Sequence, residues 1–90
     1  MTKESMENLV KRVVKEICEK NKRLDPTSPF SIAVYDPQKS RSEGLIKTCT
    51  SLKSAVYDLY TLLEKEPAYT GEIFFYRRDR IVVYTRSPHQ

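Results

Sequence analysis

Apolar side chains near the start of the chain recur at Met6, Leu9, Val10, Val13, Val14, Ile17 and Cys18. These positions fall on one side of a turn of about 3.6 residues, so the spacing predicts a helix from Lys3 to Lys22 with one apolar face. Its ends agree with that reading: Thr2 can cap it, Glu4 sits in the positive first turn, and Lys20, Lys22 and Arg23 sit at the negative end. The stripe is wider than a heptad seam, which suits a helix laid on a sheet better than a two-stranded coiled coil.

The period then changes. Asp25-Pro26-Thr27-Ser28-Pro29 breaks the helix, because two prolines remove backbone donors and hold the residues before them extended. From Phe30 to Asp36 apolar positions alternate, placing Phe30, Ile32 and Val34 on the core face of a first strand. Pro37 ends it, and Asp36 to Gly44 is a polar run with turn formers at both ends. Leu45 to Cys49 reads as a second strand, after which Thr50 or Ser51 can cap a second helix. The inner face of that helix carries Leu52, Ala55, Val56, Leu59, Leu62 and Leu63; Glu66-Pro67 ends it, and Gly71 allows the chain to turn into two further strands.

The expected fold is α+β in the order α-β-β-α-β-β, a two-layer sandwich of a four-stranded, mostly antiparallel sheet with both helices on one face. Residues 1–90 form one domain, since a chain of this length has room for a single modest core. Each half is one helix plus two strands, although no repeat is visible in the residues themselves.

The last two strands carry the strongest pattern: Glu72-Ile-Phe-Phe-Tyr-Arg-Arg-Asp-Arg-Ile-Val-Val-Tyr-Thr-Arg86 joins two β-prone runs at an arginine-rich tip. A three-residue loop at Arg78-Asp79-Arg80 would turn Ile73, Phe75, Ile81 and Val83 inward and Phe74, Tyr76, Val82, Tyr84 and Arg86 outward. A two- or four-residue loop shifts the pairing by one and mixes this division. In the first register the outer rings of Phe74, Tyr76 and Tyr84 can stack bases while Arg77, Arg78, Arg80 and Arg86 reach phosphates. The alternative is that the same rings pair across strands or meet another subunit.

Charge adds a mild vote for a polyanion. The net charge is +4, and three basic stretches, 1–23, 37–53 and 73–90, alternate with two acidic ones. In the middle stretch Lys39-Ser40-Arg41-Ser42 has the cations and hydroxyls of an anion-binding or phosphorylatable loop, so Lys39 and Arg41 could extend a nucleic-acid footprint. No Gly-x-x-Gly loop, RRM signature or zinc-finger spacing accompanies it.

Candidates for catalysis are thin. Cys49 precedes a helix N-terminus, where a thiol can be activated, but His89, near the end of the chain, is the sole histidine to serve as a base. Cys18 lies on an apolar face. Asp58, Glu64, Glu66 and Glu72 lack metal-ligand spacing and read as a solvated acidic face. Tyr57 with Leu62 and Leu63 matches the short pattern of peptides that bind the translation cap-binding factor, but the leucines are needed for the core.

No apolar leader or membrane-length run is present, and two cysteines do not make a disulfide scaffold. The expectation is a non-enzymatic, intracellular, cytoplasmic binding module without cofactor, metal or membrane partner. It favours RNA or DNA through Phe74, Tyr76, Tyr84, Arg77, Arg78, Arg80, Arg86, Lys39 and Arg41, with a protein partner or a homodimer as the alternative.

Overall fold

A computed structural model of the chain describes residues 5–40, 43–75 and 81–88. The elements are α1 (Met6–Lys20), β1 (Phe30–Tyr35), β2 (Leu45–Cys49), α2 (Leu52–Lys65), β3 (Thr70–Phe75) and β4 (Val82–Arg86). The strands form one antiparallel sheet in the order β2-β1-β3-β4, so β1 and β3 are central and β2 and β4 are edges. This is the α+β order that the periodicity predicts. No helix among the described residues is long and apolar enough to cross a membrane.

Local chemistry sets the helix limits. Ser5 caps α1: its extended backbone lets the hydroxyl accept from the Asn8 N–H at 3.2 Å, while Thr2, the expected cap, lies outside the described residues. The helix stops at Asn21, whose backbone N–H and side-chain amide both donate to the Ile17 carbonyl at 3.0 Å. Ser51 caps α2 by accepting from the Ser54 N–H. The Pro26 carbonyl takes the Leu52 N–H at 2.9 Å, so the proline connector satisfies one of the first free donors of α2.

Register places the core between helices and sheet. Phe30 lies opposite Phe75 and Cys49, Ile32 opposite Ile73 and Lys47, and Val34 opposite Gly71 and Leu45. This row faces the helices: Phe30, Ile32 and Ile73 are fully buried and join Val10, Val13 and Ile17 of α1 and Leu52, Val56 and Leu59 of α2 in one cluster. Leu62 is only half-buried. Gly71, expected at a turn, lies inside β3, where an added Cβ would come within 2.5 Å of Leu59 Cδ1 and 3.0 Å of Leu63 Cδ1. Helix α2 therefore rests directly on β3 at that point.

Among the described residues no helix covers the opposite face, yet its middle is closed. Ser31, Ala33, Phe74, Glu72 and Thr70 alternate with the core row and are all buried. Glu72, expected on a solvated acidic face, accepts a hydrogen bond from the Tyr35 hydroxyl at 3.3 Å. Glu64 and Glu66 are exposed as expected.

Candidate interaction surface

The two C-terminal strands do not pair in the expected register. Ile73 is opposite Tyr84 and Phe74 is opposite Val82, with a bulge between them in which Val83 is the extra residue of β4. Val83, Tyr84 and Phe75 consequently pack against the core, and Phe75 stacks on Phe30 with ring centroids 5.4 Å apart. The inward assignment of Ile73, Phe75 and Val83 agrees with this arrangement. That of Ile81 does not, since Ile81 is 54% exposed.

Tyr84 and Arg86, expected to face outward as a base-stacking ring and a phosphate contact, are turned toward the helices by the same bulge. The Tyr84 hydroxyl forms a short hydrogen bond with the Tyr60 hydroxyl of α2, and the Arg86 guanidinium lies over the Tyr60 ring, 5.3 Å from its centroid. Burial, reinforced by the Tyr60 hydrogen bond, raises the Tyr84 phenol above its ordinary range. Phe74 is on the helix-free face as expected, but only 7% of it is exposed, so its ring offers no stacking platform. Lys39 is exposed in the β1–β2 connection. Tyr76, Arg77, Arg78, Arg80 and Arg41 lie outside the described residues.

Cys49 is held in a way that opposes nucleophilic chemistry. Its thiol is buried and lies 3.6 Å from Asp58 Oδ2, which also takes the Lys47 ammonium at 2.9 Å. Burial first, and the Asp58 charge second, push the thiol up to about 11, opposite to the shift that activates a cysteine. The Lys47–Asp58 hydrogen bond raises the lysine. The cluster ties α2 to β2.

What the sheet leaves uncovered is at its edges. Leu45 and Ile46 of β2 are 51% and 57% exposed, and Val82 of β4 is 42% exposed. The edges differ, because β4 carries the bulge while β2 pairs with β1 without irregularity over all five residues. Bulges protect an edge from further pairing by twisting it, whereas a regular edge with exposed apolar residues invites another strand. Along β2 the side chains alternate: Leu45 lies on the helix side and Ile46 on the helix-free side, so the strand presents a large apolar group on each face. This pair escapes a periodicity reading that looks for buried rows, yet the signal is in the sequence. Two adjacent large apolar residues in a short strand cannot share a face, so a strand with one covered face must leave one of them out.

A cleft opens beside β2, between the β1–β2 connection and the C-terminal end of α2, lined by Val34, Asp36, Lys39, Glu43, Leu45 and Leu62 among others. Comparisons with protein-family models, curated proteins and solved structures found no match.

Proposed function

We propose that the chain is a non-enzymatic protein-interaction module that self-associates by pairing its β2 edges antiparallel across a two-fold axis. The observation that carries this reading is the regular edge strand with Leu45 and Ile46 both more than half exposed. A two-fold axis at Ile46 places Ile46 against its copy and Leu45 beside the copy's Lys47, and the two four-stranded sheets become one of eight. An axis at Lys47 is disfavoured, because it sets like charges directly opposite each other. The pairing is isologous and therefore closes as a dimer. The free thiols of Cys18 and Cys49 suit a reducing compartment such as the cytoplasm.

The competing reading, RNA or DNA binding at the arginine tip, keeps its charge argument but loses Phe74 and Tyr84 as stacking rings. One set of measurements separates the two. Analytical ultracentrifugation is expected to give a dimer for the wild type and a monomer for Ile46→Lys, whereas Tyr57→Lys, an exposed change on α2, leaves the dimer intact. Fluorescence anisotropy with single- and double-stranded RNA and DNA runs in parallel. A wild type that stays monomeric up to about 1 mM, a concentration at which even weak specific pairs form, would remove the β2 reading. Salt-sensitive binding to the oligonucleotides with no dimer would replace it by the nucleic-acid one.

A further inference from the structure

We infer that Val83 keeps a second self-association edge closed: the bulge that it makes is what prevents β4 from pairing with the β4 of another copy. This edge lies at the far side of the sheet from the proposed β2 pairing, and the inference rests on that pairing only for the final size of the assembly.

Apart from the bulge, β4 has the composition of a self-pairing edge. It is as long as β2, five residues each, and from Val82 to Thr85 it reads Val-Val-Tyr-Thr, all good strand formers with neither charge nor proline among them. Ile81 and Val82 are adjacent exposed apolar residues, as Leu45 and Ile46 are at the opposite edge. Arg86, the charged residue of the strand, lies over the Tyr60 ring and so does not protect the edge. Short length, edge charges, proline and bulges are the usual protections of an edge strand, and of these the described part of β4 has the bulge.

That bulge is a single inserted residue with an intact ladder on both sides. Tyr84, Thr85 and Arg86 lie opposite Ile73, Glu72 and Gly71, while Val82 lies opposite Phe74 and the Phe75 N–H donates to the Ile81 carbonyl at 3.1 Å. Ile73 and Phe74 are neighbours in β3, so removing Val83 would join the two halves into one regular ladder. Elsewhere in a strand, the loss of one residue turns every later side chain to the other face. Here it turns none: Val82 stays opposite Phe74, and Tyr84 stays opposite Ile73, within reach of Tyr60. What the extra residue adds is twist and a break in the run of backbone groups to which another strand would have to bond.

Symmetry gives the bulge its consequence. One edge that pairs with its own copy closes as a dimer, but a chain with two such edges, β2 and β4, joins copies without end. A single residue thus separates a closed pair of sheets from a growing ribbon.

The test deletes Val83 in the wild type and in Ile46→Lys and follows both by sedimentation at about 0.1 mM, where a micromolar pairing is close to complete. The deletion is expected to raise the wild type from a dimer to species of roughly four copies or more, and Ile46→Lys from a monomer to a dimer. Val82→Lys added to the deletion puts a charge on the exposed edge and should return each protein to the state of its parent. If the wild type is itself a monomer, the β2 reading fails, and a deletion that then gives a dimer still upholds the closing of β4. Folded deletion variants that keep the assembly state of their parents would overturn the inference, as would large species that Val82→Lys does not dissolve. Val83 also packs against the core, so a second measurement leaves the chain intact. A peptide of residues 81–86 without Val83, titrated into the labelled wild type by NMR, is expected to leave the amides of Val82 to Arg86 unmoved up to about 1 mM. Saturable shifts at those amides would mean that the bulged edge is open, and the inference would fall.

Discussion

One extra residue in a strand decides what Tyr84 can do. With Val83 accommodated in the bulge, the Tyr84 ring turns from the helix-free face to the helices and its hydroxyl meets Tyr60. A stacking ring becomes a packing ring with a polar handle. The same setting has a consequence at high pH. Tyr84 and Cys49 both have raised values in the fold, so the folded state favours their neutral forms. The stability linked to them is fully present below their unfolded values, ordinarily 10.0 for the phenol and 9.0 for the thiol, and is lost as pH rises through the folded ones. Urea denaturation is therefore expected to give constant stability from these groups up to about pH 8 and a decline from about pH 9 upward. Cys49→Ala should delay the start of the decline, and Tyr84→Phe should reduce its later part. At neutral pH Tyr84→Phe should cost about 1 kcal/mol, because the Tyr60 hydroxyl loses its partner. Stability that stays flat to about pH 11 in the wild type would show that neither group is held as described.

At the scale of elements, what the sequence discloses depends on whether local chemistry suffices. The stripes of α1 and α2, the alternation of Phe30, Ile32 and Val34, and the proline at 37 are local signals, and the elements they predict are present. Ser5 caps α1 as a serine just ahead of an apolar stripe can, a local signal that competes with other capping residues near it in the sequence. The β3–β4 register is of another kind: a bulge is settled by what lies above the sheet, here Tyr60 on α2, which no window on the hairpin contains. The cleft is hidden for the same reason, since it joins Val34 and Leu45 to Leu62 and Tyr69 only through the fold. Helix α2 offers a direct check of the part that was legible. Leu59 is fully buried against β3, whereas Tyr57 two residues earlier is 52% exposed. Leu59→Ala is expected to cost about 2 to 4 kcal/mol through lost burial and a residual cavity. Tyr57→Ala should change stability by no more than about 0.5 kcal/mol. Equal losses in chemical denaturation would mean that the inner face of α2 is misassigned and that Tyr57 is a packing residue.

At the scale of the whole molecule, charge and apolar edges pull in opposite directions, and salt reveals which governs. Each copy carries a net charge of +4, so two copies repel while β2 pairing brings together backbone groups, Leu45 and Ile46. Within β2 the charged side chain of each copy is Lys47, already held by Asp58 of its own copy. An interface of this kind gains nothing from long-range attraction, and screening removes only the repulsion. Raising sodium chloride from about 50 to about 500 mM should therefore tighten the dimer by roughly two- to fivefold, because it shortens the Debye length several-fold. Oligonucleotide binding by the arginine tip would respond in the opposite direction and more steeply, since each phosphate contact releases a counterion that added salt returns. Sedimentation and anisotropy across the same salt series thus yield two slopes of opposite sign from one protein. A dimer that loosens as salt rises would place attractive ion pairs at its interface. The pairing surface would then have to be sought among the charged faces of α1 and α2 rather than along β2.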